Sequence, residues 1–192
     1  MQPEVDGGRY RFKPVTQTQW DDLVNLFGER GACNGCWCMW WRLRGSEFRA
    51  GVGAGNRQAL RDLVDRGVIP GILAYDGEKP VGWCSVGPRQ DFPRLNSSPR
   101  LRPLDEQPVW SIVCYFVDRK ARGQGLMQAL TEAAVDYARR NGAGIVEAYP
   151  TEPATGQSGG NLYMGVAHTL RQAGFIEPAH PGNSRYILRR YL

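Results

Sequence analysis

Arg122-Gly123-Gln124-Gly125-Leu126 joins two segments of opposite character. Before it, Ile112-Val113-Cys114-Tyr115-Phe116-Val117 is a nearly unbroken apolar, β-prone run. After it, Leu126, Leu130, Ala133, Ala134 and Tyr137 recur at i, i+4, i+7, i+8 and i+11, one stripe of a helix. Strand, glycine turn and helix start in that order suit an anion. Glycines let the backbone approach it closely, and the free N–H groups and dipole of the helix start attract it. Arg122 adds a permanent charge able to fork onto phosphate oxygens. The same string also serves as a tight strand-to-helix turn in which glycine supplies geometry alone, and the motif by itself leaves both readings open.

Outward from this unit, Thr16-Gln17-Thr18-Gln19 has the form of a capping box, followed by Trp20, Leu23, Val24 and Phe27 at helical spacing. That helix should end near Gly28 or Gly31. Asn56 is expected to cap a second helix carrying Leu60, Leu63 and Val64 and closed by Gly67. Ile72-Leu73-Ala74-Tyr75 and Val81 to Val86 read as the strands of a hairpin turning at Asp76-Gly77. The central helix stops at Asn141-Gly142, and Gly144 to Pro150 holds the next short strand. A helix with Leu162, Val166, Leu170 and Ala173 should end at Gly174, and strands near Phe175-Ile176 and Tyr186-Ile187-Leu188 complete the order. Two connections are long for a compact domain: Pro88 to Gln107, rich in Pro and Arg, and Thr151 to Asn161, rich in Gly, Ser, Thr and Pro. Flanking one strand–turn–helix unit, they are expected to wall a substrate pocket.

Composition sets bounds on function. A chain of 192 residues, 42% hydrophobic with six Trp and eight Tyr, is expected to form one packed domain over 1–192. The net charge of +5 comes without a Lys/Arg block, which suits an anionic small ligand and gives no ground for nucleic-acid binding. Met1-Gln2-Pro3-Glu4-Val5-Asp6 lacks the basic and apolar regions of a signal peptide, and no apolar segment approaches membrane-spanning length. With an odd five cysteines, the expectation is a cytoplasmic protein with reduced thiols and no membrane partner.

Helix, helix, hairpin, strand–Arg-Gly-x-Gly–helix, strand, helix and Gly-Phe strand together resemble the GNAT superfamily of acyl-CoA-dependent N-acyltransferases, over roughly residues 10 to 192. The superfamily's pyrophosphate signature, Arg/Gln-x-x-Gly-x-Gly/Ala, is matched by Arg122-Gly123-Gln124-Gly125-Leu126-Met127, with Met127 in place of the last small residue. Ala173-Gly174-Phe175 is also like the family. Finer strings, Cys33-Asn34-Gly35-Cys36-Trp37-Cys38-Met39-Trp40-Trp41-Arg42, Gly82-Trp83-Cys84-Ser85-Val86-Gly87-Pro88-Arg89 and Val146-Glu147-Ala148-Tyr149-Pro150, look like a bacterial subgroup whose acceptor is unknown.

The resemblance implies an α/β (α+β) fold. Its centre would be a mixed, mostly antiparallel, twisted sheet of six to seven strands, splayed at the acyl-CoA cleft and flanked by about four helices. It also implies acetyl-CoA as co-substrate and no metal. The pantetheine arm would lie along main-chain groups of Tyr115, Phe116 and Val117 like an added strand. The pyrophosphate would sit on Arg122, Gly123, Gln124, Gly125, Leu126 and Met127. A neutral amine of a small molecule or peptide would attack the thioester carbonyl directly, through an oxyanion that a strand N–H stabilises. An alkylamine is mostly protonated at neutral pH, its pKa being about 10, so a base or water chain must take that proton and an acid should protonate the leaving thiolate. A monomer and a homodimer are both compatible with the resemblance.

The family's usual proton-handling residues do not carry over. The position of its strand Glu is Ser111, and that of its Tyr, four residues before the Gly-Phe pair, is Leu170. Nearby substitutes are Glu147 as base or substrate anchor, Tyr163 as acid, and His168; Tyr149 shares a strand face with Glu147. Glu147 in an apolar strand is costly to bury unpaired, so a purpose or an Arg partner is expected. Three further features have two readings each. Cys33, Cys36 and Cys38 are either reduced thiols in an aromatic loop or the start of a zinc site. Trp37, Trp40 and Trp41 are either core or a wall for an apolar or cationic acceptor. Arg89, Arg94, Arg100 and Arg102 either greet an anion or form a solvated basic loop. Rival functions are a non-catalytic acyl-CoA sensor and a zinc-stabilised interaction module.

Overall fold

The computed structural model describes residues 5–150, 163–178 and 187–192. One sheet organises them. Its seven strands lie in chain order: β1 (Val5–Gly7), β2 (Tyr10–Pro14), β3 (Gly71–Asp76), β4 (Lys79–Pro88), β5 (Trp110–Val117), β6 (Ile145–Ala148) and β7 (Leu188–Tyr191). Every neighbouring pair is antiparallel except β5 and β6. A parallel pair needs a crossover, and the helix after the glycine turn supplies it. The helices are α1 (Trp20–Phe27), α2 (Gly45–Ala50), α3 (Ala54–Asp65), α4 (Pro93–Ser97), α5 (Leu126–Arg140) and α6 (Ala167–Gln172). Six helices exceed the expected four or so, and three of them, α2, α4 and α6, have six residues or fewer.

Each face of the sheet carries its own apolar core. On one face the predicted stripe of α5 (Leu126, Leu130, Ala133, Ala134) packs with Leu170 and Phe175 onto Ile72, Ile112 and Val146. On the other, Trp20, Leu23 and Phe27 of α1 and Leu60 and Val64 of α3 pack with Trp37 and Met39 onto Leu73, Trp83 and Val113. Fully burying each such large side chain is worth about 1.5–3 kcal/mol. The Thr16 capping box is present: its hydroxyl accepts from the Thr18 N–H at 3.2 Å, at a single 3₁₀ turn that leads into α1.

Several boundaries differ from expectation. Asn56 does not cap α3, which starts two residues earlier; it is buried inside the helix and donates its amide to the Gly35 carbonyl at 3.2 Å, tying down the Cys-Trp loop. The helix before Gly174 begins at Ala167, and Leu162 lies outside the described residues. The Phe175-Ile176 strand reduces to one bridge, Ile176 with Arg189; Tyr186 is outside the described residues. The connection from Pro88 to Gln107 forms a 3₁₀ turn and α4, and lines neither of the two cavities described below. Its anchor is Arg89, whose guanidinium points inward to satisfy a buried carboxylate. The other long connection, Thr151 to Asn161, lies outside the described residues.

Of the sheet's two register shifts, the one between β4 and β5 shapes the site. β4 and β5 pair Ser85 with Cys114 and Val86 with Ile112, leaving Val113 as an extra residue in β5. Such a bulge bends a strand and re-aims its side chains. Val113, Cys114 and Phe116 consequently share one face, while Ile112 and Tyr115 share the other. The parallel pairing of β5 with β6 runs from Trp110 to Ile112 and stops at the bulge.

Candidate active site

Beyond Ile112 the two central strands part, and Tyr163 reaches into the opening: its carbonyl accepts a hydrogen bond from the Tyr115 N–H at 2.5 Å. One of the β5 amides expected to face a pantetheine arm is thus engaged by the chain itself. Arg122 folds back, its Nε donating to the Val117 carbonyl at 3.2 Å. Around this opening lies a cleft of about 390 Å³. Tyr115, Phe116 and Val117 line one side of it, and Arg122, Gly123, Gly125, Leu126 and Met127 the turn and helix start on the other, with Tyr163 and Thr169 opposite. Gln124 points away, its amide donating to the Lys120 carbonyl at 2.8 Å and its oxygen accepting from Arg9 at 2.6 Å.

The turn has the form that an anion cradle needs. Gly123 and Gly125 have φ of +72° and +77°, left-handed values that only glycine adopts without strain. A Cβ added to either would meet nothing within 4 Å, so glycine here meets a conformational demand and leaves open space above the N-terminus of the 15-residue α5. An anion in that space would face the unpaired first N–H groups of the helix.

A second cavity, of about 280 Å³, lies on the other side of Phe116 and Tyr163, both of which line the two. The bulged side chains Val113 and Cys114 floor it, and the Cys-Trp loop with Cys33, Cys36, Trp40 and Trp41 forms its wall. That loop is strained: Ala32, Asn34, Trp37 and Cys38 all have positive φ, a conformation costing on the order of 1–3 kcal/mol per residue. Of the three tryptophans, Trp37 is core, stacked on Trp20 with centroids 6.4 Å apart, while Trp40 is 43% exposed.

Among the described residues no group of three or more His, Cys, Asp or Glu is arranged to hold a metal ion. Cys38 and Cys114 lie with Sγ atoms 3.3 Å apart. The Cys36 thiol is pushed up by its contact with Cys38 and by burial, and that of Cys38 by its contact with Cys114 and by burial. Neutral thiols are poor metal ligands and poor nucleophiles.

The three candidate proton-handling residues occupy unlike places. Tyr163 lines both cavities, and its phenol is pushed up to about 12 by the neighbouring Cys33 thiol and by partial burial. His168 is exposed on α6 and lines neither cavity. Glu147 is 0% exposed. Its Oε2 accepts from Arg89 Nη1 and from the Tyr149 hydroxyl, both at 2.8 Å, and its Oε1 from Arg189 Nε at 2.9 Å. Ser111 joins the same network through Tyr149 at 2.7 Å. Arg89 also donates to the Leu101 carbonyl and Arg189 to Asp105, so the network pins the 88–107 connection to β6 and β7. The Arg partner expected of Glu147 is therefore two arginines. Arg94, the second arginine of that connection, stacks on Trp40 with its guanidinium carbon 3.5 Å from the ring centroid.

Arg189 divides its hydrogen bonds between a buried and an exposed carboxylate, which gives a graded prediction. Asp105 is 37% exposed on its side chain, and water screens such pairs, so Asp105→Asn should cost at most about 1 kcal/mol of stability at pH 7. Arg189 holds the Asp105 carboxyl below its usual range. A depressed carboxyl stabilises above its unfolded value, about 3.9, and the contribution is lost as pH falls through the folded value. Urea midpoints of wild type and variant should therefore converge below about pH 4.

The model of the acetyltransferase (GNAT) family matches residues 37–158, more than half of the chain. No curated protein is significantly similar in sequence. Solved structures are similar in fold. A ribosomal-protein-S5-alanine acetyltransferase from Vibrio fischeri is 14% identical, with 99% of this chain and 97% of that one covered and a TM-score of 0.54. A GNAT-family acetyltransferase from Streptococcus agalactiae is 11% identical, with 95% of both chains covered and a TM-score of 0.55. The PaiA N-acetyltransferase of Thermoplasma acidophilum, solved with coenzyme A, is 9% identical, with 95% and 99% covered and a TM-score of 0.52. No helix among the described residues is long and apolar enough to cross a membrane.

Proposed function

The chain belongs to the acetyltransferase (GNAT) family, and from that premise we propose that it transfers an acetyl group from acetyl-CoA to the primary amine of a small molecule or peptide, by direct attack in a ternary complex. The observation that carries this reading is the pair of cavities meeting at Phe116 and Tyr163. One has the glycine turn, the helix start and a cationic side chain suited to a diphosphate. The other is separate from it and open to a second reactant.

In this reading the diphosphate rests on the 122–127 turn and the pantetheine arm follows the splayed edge of β5, alongside the Tyr163 segment that already engages Tyr115. The thioester carbon then lies near Phe116, between the cavities. Tyr163 is the catalytic residue we assign, as proton donor to the leaving sulfur. Glu147 holds the sheet together from inside and touches no reactant; it is a positioning residue for Arg89, Tyr149 and Arg189. His168 has no assigned part.

Arg122→Ala tests the donor site. Loss of a charge-assisted contact should weaken binding of coenzyme A by about 1–3 kcal/mol in calorimetry. The melting temperature should barely move, because the Val117 carbonyl that Arg122 now caps lies at the exposed strand end. Unchanged affinity would refute this reading of the turn.

A further inference from the structure

The second cavity has a chemistry of its own. Its lining is soft and apolar, with thiols from Cys33, Cys36 and Cys114 facing the rings of Trp41 and Phe48. Sulfur and aromatic edges are favourable neighbours for another flat ring. Trp40 stands edge-on to both Trp41 and Phe48, at interplanar angles of 88° in each case, so these rings make a slot. No Asp or Glu lines it among the described residues.

Positive charge stands behind Trp40 instead, on side chains that are not part of the lining. Arg94 covers a face of Trp40 at 3.5 Å and donates to the Trp40 carbonyl at 3.3 Å. One face of the Trp40 ring is thereby taken by a resident cation. Arg49 lies near enough to Arg94 to disfavour its charge further, on top of desolvation. An alkylammonium entering here would shed water with no carboxylate in the described lining to pair with it, which is costly.

We propose that this cavity holds the acceptor, and that the acceptor is an aromatic amine whose nitrogen, conjugated with its ring, is already neutral near pH 7. The inference rests on the transferase reading and deepens it. It also accounts for Ser111 at the position of the family's strand Glu, with Glu147 committed to arginines: a neutral amine brings its lone pair without a resident base. The step balances. The nitrogen lone pair forms the C–N bond, the C–S bond of the thioester breaks, one N–H proton leaves the nitrogen, and one proton reaches the sulfur. The products are the N-aryl acetamide and free coenzyme A.

The test compares 4-methylaniline with 1,4-diaminobutane as acceptors for the wild-type protein, with acetylated product measured by mass spectrometry so that the pocket thiols do not interfere. Desolvating an unpaired ammonium should set kcat/KM for the arylamine above that for the diamine by about 30-fold or more. Trp41→Ala should raise KM for the arylamine about 10-fold, from a lost ring contact, with coenzyme A affinity unchanged. Cys36→Asp, which places a carboxylate in the wall, should shift the preference toward the diamine. Equal or better use of the diamine, indifference of the arylamine KM to Trp41→Ala, or no product from either amine would overturn the inference while coenzyme A still binds. Failure to bind coenzyme A would remove the transferase reading, and this one with it.

Discussion

Glu147→Ala is expected to lower the unfolding free energy by about 3–5 kcal/mol, the cost of removing one partner from a buried ion pair. The carboxylate is the one acceptor on which Arg89, Arg189 and Tyr149 converge, with distances of 2.8–2.9 Å. Both guanidinium groups are nearly sealed, with side-chain exposures of 10% and 3%. Alanine would leave two buried charges facing each other across a cavity, and the 88–107 connection would lose its tie to β6. Glu147→Gln keeps the shape and one acceptor but not the charge, so its loss should fall between wild type and alanine. Urea unfolding at pH 7 measures both. The converse outcome is equally clear: an unchanged midpoint together with lost turnover in Glu147→Gln would make Glu147 the base and refute its internal role.

The contrast between Glu147 and the glycine turn shows which kinds of information the sequence holds. Local signals were legible. The stripe of α5, the Thr16 capping box, the Asp76-Gly77 hairpin and the 122–126 turn each depend on neighbours a few residues apart, and all four elements are present. The family resemblance added a mixed, mostly antiparallel sheet of six to seven strands, which local reasoning does not reach, and the seven-stranded sheet with its one parallel pair agrees with it. What stayed hidden was long-range. The Arg89–Glu147 pair joins residues 58 apart in the chain, and Arg189–Glu147 residues 42 apart. Nothing in the Pro- and Arg-rich connection marks Arg89 as the inward-pointing arginine and Arg94 as the stacked one. The bulge at Val113 was equally invisible, because an unbroken apolar run hides the one residue at which alternation slips. Yet that slip turns Val113 and Cys114 to the same side and makes the floor of the second cavity. Asn56 misled for a related reason: asparagine near a helix start is a strong cap signal, but here tertiary contact with Gly35 took the side chain inward.

Tyr163→Phe carries the largest expected effect on turnover, a fall in kcat of about 100- to 1,000-fold with coenzyme A affinity unchanged. Its physical basis is the position of the phenol at the junction of the two cavities and the protonation state in which it is held. Cys33 and partial burial push its pKa above the ordinary phenol value, so it is protonated near neutral pH. A phenol that weakly acidic would not hand its proton outright to a thiolate, since a thiol's pKa is about 8.5. It can relay one. As the tetrahedral adduct forms, its nitrogen becomes strongly acidic, and the phenol oxygen can take that proton while its own moves to the departing sulfur. The phenol is never ionised in the process. Wild-type kcat should accordingly show no alkaline fall from this residue up to about pH 10, the range in which an ordinary phenol begins to titrate. Cys33→Ala, by removing the first cause of the raised value, should bring an alkaline limb down toward that ordinary range. A packing role for the ring predicts neither result: phenylalanine would restore the rate, and the pH profile would not respond to Cys33.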